Sequence, residues 1–284
     1  MRVNKSFFIA IISAVLACGD VTTNNQAEEE KTHDKMHAEG KEHEHHDEMA
    51  VEFNAIELQK KGIKVYSANI AKEFPEAVLK MKEITASASL PGKQAFEFEV
   101  ENYELATQTE GATERHCANS QKGQHIHFIV NNGPYKAHYE PKFEAELLEG
   151  NNVVLAFLSR SYHESIKNGT AHVLKTFQIG DQPSTFDHSA SHLFYSRPKG
   201  TYKGEDGKKI LLDFYLINTK LAEGGNKVKV LIDGVDFLLP TWQPYFVEGL
   251  AIGKHSFRIQ LLDKEGNLIE GPFNDSGLRE ITIE

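Results

Sequence analysis

The chain has 284 residues, 40% of them hydrophobic and 10% aromatic. That is enough apolar material for one large core or two small ones, and it excludes a fibrous or low-complexity protein. A formal net charge of -10 excludes a polyanion binder held by bulk positive charge, so nucleic acid is not an expected partner.

At the N-terminus, Arg2 and Lys5 precede an apolar run from Phe7 to Ala17. The run is too short to remain in a bilayer as a spanning helix and reads as an export signal over residues 1–17. Val15-Leu16-Ala17-Cys18-Gly19 resembles a bacterial lipoprotein signal. The resemblance implies an acylated Cys18 as mature N-terminus and an exported protein of the cell envelope, anchored to a membrane, the outer one, through that lipid. With Cys18 so used, Cys117 has no intramolecular partner. The fold then cannot rest on a disulfide, and Cys117 is a buried hydrophobe, a reactive thiol or a metal ligand.

Residues 18–50 contain no aromatic side chain, and ten acids stand against three lysines between Gly19 and Glu48. Such a segment cannot bury enough apolar surface to offset its ordering entropy, so a flexible tether is predicted. His33, His37, His43, His45 and His46 lie in it beside Met36 and Met49. They suit weak capture of copper, zinc or nickel without fixed geometry, or serve only as a soluble spacer. In the lead-in, residues 51–74, Asn54 followed by AIELQKK and Gly62 predicts a short capped helix, with Ile63, Val65 and Ala68 opening an extended segment. Tether and lead-in together resemble the His-rich lead-in of heavy-metal efflux adaptor proteins. The resemblance stops there, because no coiled-coil hairpin follows, and no transport role is carried over.

Beyond residue 75 the helical period is absent and short alternating segments are separated by Gly, Asn and Pro, which predicts an all-β chain. The segment is internally repeated. Phe98, Asn102, Leu105 and Ala106 match Phe214, Asn218, Leu221 and Ala222 at an offset of 116, and HIHFIVNNGPY from His125 matches KVKVLIDGVDF from Lys227 at an offset of 102. Two diverged copies follow, residues 75–180 and 187–284. Each is the size of an immunoglobulin-like sandwich of about seven strands, so the fold class is two tandem immunoglobulin-like β-sandwich domains after a signal peptide and tether.

The drop in offset places 14 additional residues before His125, among them His116 and Cys117. In the second copy, strand alternation puts Val228, Val230 and Ile232 in the core and Lys227 and Lys229 toward water. His125 and His127 occupy the lysine positions and are therefore expected off the core, on one face and near enough to share a metal ion. An Asn132-Gly133 turn would set His138 opposite His127, whereas a turn at Asn131-Asn132 would set it opposite His125. His163, from the loop between the last two strands, reaches the same end of the sandwich, and His116 and Cys117 are additional candidate ligands. Three neutral imidazoles suit Zn(II) or Cu(II), a sulfur ligand would favour Cu(I), and Glu140 and Glu164 are candidates to orient the rings. The alternative is a set of exposed histidines standing in for lysines.

The stretch from Phe96 through CANSQKGQHIHFIVNNGPYKAHYEPKF to AFLSRSYHESIKNGT resembles uncharacterised bacterial envelope lipoproteins labelled phosphopeptide-binding. Ser159-Arg160, His163 and Asn168-Gly169-Thr170 resemble elements of forkhead-associated domains, but His163 and Asn168 stand too close in sequence for that phosphate geometry to transfer. No nucleophile elbow, phosphate loop or paired catalytic carboxylates mark an enzyme. The expected function is metal binding for buffering, delivery or resistance, with an envelope protein or metal-transport system as partner. The alternative is a non-enzymatic module binding protein or glycan through sandwich loops, for example through the aromatic segment from Phe237 to Phe246, whose other reading is core packing.

Overall fold

The computed structural model describes residues 55–68, 73–82, 91–181 and 184–284. The export signal, Cys18 and the five tether histidines lie outside them. Among the described residues there is no α-helix, and no helix long and apolar enough to cross a membrane.

The lead-in forms a hairpin, β1 (Glu57–Lys60) and β2 (Ile63–Ser67), where the sequence predicts a short helix. Three features reverse that expectation. The candidate helix is well below the length at which helices hold themselves. Lys61 and Gly62 both have positive φ (49° and 83°), as a two-residue hairpin turn needs. Finally, an unpaired sheet edge accepts β2, whose Ile63, Val65 and Ser67 alternate inward.

The first sandwich contains β3 (Val78–Met81), β4 (Gly92–Glu101), β5 (His125–Val130), β6 (Lys136–His138), β7 (Lys142–Leu147), β8 (Gly150–Ser159) and β9 (His172–Ile179). The second contains β10 (His192–Arg197), β11 (Gly200–Tyr202), β12 (Ile210–Ile217), β13 (Lys227–Ile232), β14 (Val235–Leu239), β15 (Tyr245–Glu248), β16 (Gly253–Leu262) and β17 (Arg279–Ile283). The sheets of the first run β3-β4-β7 and β6-β5-β8-β9, and those of the second β10-β12-β15 and β14-β13-β16-β17. Strand for strand this is one topology used twice. The second copy adds β11 at one edge and the β1-β2 hairpin on β15 at the other. Asn102 and Asn218, matched in the repeat, both sit at positive φ and tie the end of their strand to the segment entering the sandwich.

Gly249 locks the hairpin in place. Its φ is +89°, and a Cβ there would lie 2.1 Å from the carbonyl oxygen of Gly62. Gly249→Ala is expected to cost about 2 kcal/mol or more, read as a lower urea midpoint with lost amide protection in β1 and β2. Unchanged protection would show that the close approach is not real.

The two sandwiches pack against each other inside one compact unit, Glu52–Glu284. Ile129, Tyr135, Val153, Leu155 and Phe157 of the first share a core with Phe194, Tyr215 and Ile217 of the second. The hairpin tip is inserted: Asn132 accepts from the Tyr195 amide at 2.8 Å, and Arg279 donates to the Asn132 carbonyl at 2.6 Å. Both faces of β5 and β8 are consequently buried. His125 and His127, expected to face water, are 0% exposed because the second sandwich covers their face.

Candidate metal centre

Period-two alternation on β5 puts His125 and His127 on the face turned toward the second sandwich. Their Nε2 atoms are 2.9 Å apart. The third ring comes from the loop joining β8 to β9. There the His163 amide donates to the Arg160 carbonyl at 2.9 Å, the Arg160 amide to the Glu164 carbonyl at 2.8 Å, and His163 takes a left-handed φ of 72°. This tight turn sets His163 Nδ1 at 3.1 Å from His125 Nε2. One nitrogen from each ring thus lies within 4.8 Å of the others.

Two of the rings are held from behind. His125 Nδ1 lies 2.8 Å from the Gly123 carbonyl, to which it donates, leaving the Nε2 lone pair directed into the cluster. His127 Nδ1 is 3.3 Å from the Ser196 hydroxyl of the second sandwich, and its ring stacks on Tyr135 at 3.5 Å between centroids. Burial pushes His125 down to about 4. Burial first, then the neighbouring imidazoles and Arg197, hold His127 and His163 well below the usual histidine range. At neutral pH all three are uncharged and offer lone pairs, the state a metal requires. Tetrahedral sites with bonds of about 2.0–2.1 Å space their nitrogens about 3.3–3.4 Å apart, close to the separations of 2.9 and 3.1 Å found here. With the Gly123 carbonyl and the Ser196 hydroxyl orienting two of them, the three rings form a donor set suited to zinc or copper.

The other predicted ligands lie elsewhere. His138 pairs with Ile126, not with His127 or His125. The turn uses Asn131 and Asn132, both at positive φ, but one extra residue enters at Gly133-Pro134-Tyr135, where Pro134 has no N–H for the ladder. A shift of one residue turns a side chain to the opposite face, so His138 stacks on Phe143 over the core of the first sandwich. His116 is exposed on the inserted loop. Cys117 is 6% exposed in a separate apolar cluster with Tyr162, Leu211 and Phe246, its thiol pushed up to about 11 by burial. Of the three readings of Cys117, the structure assigns the buried hydrophobe. Glu140 is exposed and Glu164 is committed to Arg160 at 3.0 Å, so neither orients the rings.

Tyr135, Ser196, Arg197 and Lys199 surround the cluster without any sequence reading having pointed to them. Three of the four lie on the second sandwich, and their place follows from docking alone. Arg160, the arginine of the forkhead-associated likeness, is 4% exposed and covered by Phe74. The aromatic segment offered as a recognition surface is core: Phe237 and Tyr245 are 0% exposed, Phe246 is 2% exposed, and Trp242 donates to the Phe214 carbonyl at 3.0 Å.

No protein-family pattern matches the chain, and no curated protein matches it. Solved structures do. The fibronectin(III)-like modules of Clostridium thermocellum CbhA show 11% identity over 72% of this chain and 93% of theirs, at a TM-score of 0.23. The tandem V-type regions of VCBP3, a V-region-containing chitin-binding protein, show 8% over 73% and 99%, at 0.21. The protein SGBP-B of a Bacteroides ovatus mixed-linkage glucan utilisation locus shows 7% over 72% and 70%, also at 0.21. At such scores the likeness assigns no ligand, and the immunoglobulin-like class rests on the twice-used sheet order.

Proposed function

We propose that this protein is a non-enzymatic binding module of the cell envelope, held to the membrane through Cys18, whose ligand is a transition-metal ion, copper or zinc. His125, His127 and His163 hold the ion, and the tether histidines gather it, for buffering, delivery or resistance. The supporting observation is the convergence of three neutral imidazole nitrogens in a buried pocket, with two of the rings braced from behind.

The test uses the full-length chain with His33, His37, His43, His45 and His46 each replaced by glutamine, titrated with Zn(II) and with Cu(II). One equivalent is expected to bind, and His125→Ala/His127→Ala to weaken it by roughly 100-fold, the upper end of what even outer-shell losses cost. Millimolar binding, or binding indifferent to the two substitutions, would sink the metal reading. A second reading, recognition of protein or glycan, draws on an open cleft of about 910 Å³ lined by Tyr66, Phe246, Arg115, Lys209, Glu110 and Glu114. Retention of a glycan or protein ligand by the chain, together with a silent metal titration, would favour it.

A further inference from the structure

Arg197 ends β10 at 7% exposure, yet among the described residues no carboxylate pairs with it. It donates to the Tyr202 hydroxyl at 3.0 Å, its guanidinium carbon lies 5.4 Å from the centre of the Tyr135 ring, and its Nε has no partner. Lys199 brings a second positive charge, its Nζ 3.8 Å from the centre of the Tyr135 ring and 2.6 Å from the Tyr135 carbonyl. A buried cation without an anion is costly, and a divalent metal among three neutral rings beside two cations is costlier. Such a pocket calls for an anion.

Tyr135 is placed to supply it. Its hydroxyl is 3.3 Å from His163 Nδ1, which is 3.1 Å from His125 Nε2, itself 2.9 Å from His127 Nε2. The oxygen lies from His163 Nδ1 at the donor spacing of a tetrahedral site, about 3.3–3.4 Å. The phenol is 3% exposed and stacked flat on His127, 13° between planes, so it has little freedom to turn away.

We infer that Tyr135 is the fourth ligand of the site, binding the metal through Oη as a phenolate with Arg197 as its counter-charge. The inference rests on the metal-binding reading. On binding, the phenol O–H bond breaks, its proton passes to solvent, an oxygen lone pair forms the bond to copper, and no oxidation state changes. A hard oxygen beside three imidazoles suits Zn(II) and Cu(II) and disfavours Cu(I), which prefers sulfur. The two cations, unfavourable to a bare divalent ion, then stabilise the bound anion.

The full-length chain with its five tether histidines replaced by glutamine is titrated with Cu(II), and its visible absorption and resonance Raman spectra are recorded. One bound copper should give a phenolate-to-copper charge-transfer band and tyrosine ring vibrations enhanced by it. Tyr135→Phe, which keeps the stacked ring, should still bind copper, with affinity down by about tenfold or more, and lose the band. Tyr139→Phe, whose ring lies 5.0 Å from that of His125, should keep it. Copper bound without the band in the parent chain overturns Tyr135 ligation while leaving the three-histidine site standing. No copper bound in the parent overturns the inference, and a silent Zn(II) titration beside it overturns the metal reading as well. The vibrational signature in the parent decides the question whether or not Tyr135→Phe folds.

Discussion

Asp213→Ala is expected to lower the unfolding free energy by about 3–5 kcal/mol, the cost of stripping one partner from a buried ion pair. Asp213 lies within β12 at 0% exposure and faces the first sandwich. There Lys167 pairs with its Oδ1, and the Ser165 hydroxyl donates to the same oxygen at 3.0 Å. Removing the carboxylate leaves an ammonium at 13% exposure with no counter-ion. The pair need not favour folding over an apolar replacement, because desolvating two charges offsets most of their attraction. Asp213→Leu/Lys167→Met is accordingly expected to be neutral, or stabilising by about 1–4 kcal/mol. Urea unfolding of the three proteins checks both statements. A loss under about 1 kcal/mol for Asp213→Ala would mean that water reaches the carboxylate and that the pair does not weld the sandwiches.

Metal-free protein is expected to lose stability steeply as pH falls below about 6.5, the unfolded histidine value. The folded values lie lower, at about 4 for His125 and well below the usual range for His127 and His163. Between the unfolded and folded values the unfolded chain holds more protons, so stability rises with pH there and is lost on acidification. Each such ring contributes a slope approaching about 1.4 kcal/mol per pH unit. Above about pH 6.5 the rings are neutral in both states and contribute no slope. Bound metal competes with protons for the same lone pairs and should move the loss to lower pH. Urea midpoints of chelator-treated protein at about pH 5 and about pH 7.5 should differ strongly, and the difference should shrink in His125→Gln/His127→Gln. Equal midpoints for the parent would mean that the rings are solvated and can charge freely.

The β class and the repeat were legible because side-chain alternation and turn residues are local. Phe98 and Phe214, Asn102 and Asn218, and the paired β5 and β13 segments kept their types while most of the sequence between them diverged. The meeting of His125 with His127 is equally local, a consequence of period two on one strand, and His163 follows from loops gathering at one end of a sandwich. The register of His138 was not legible, because one unpaired residue beside Pro134 reverses its face and no composition signal marks such an insertion. Nor was the burial of the cluster, although the unbroken apolar run Val153 to Leu158 on β8 is the mark of a strand covered on both sides. The lead-in hairpin likewise depends on an edge supplied by β15, far away in sequence.

The sequence by itself determined that strands follow beyond residue 75, which two copies they build, and that His125 and His127 share a face, since each rests on contacts within a strand, a turn or one sandwich. Only the tertiary structure decided that the histidine face is dry, that Tyr135, Ser196, Arg197 and Lys199 surround it, and that Asp213 meets Lys167. Those contacts form when one sandwich docks on the other, and docking is set by the shape and apolar area of two assembled surfaces, which no single stretch of sequence carries.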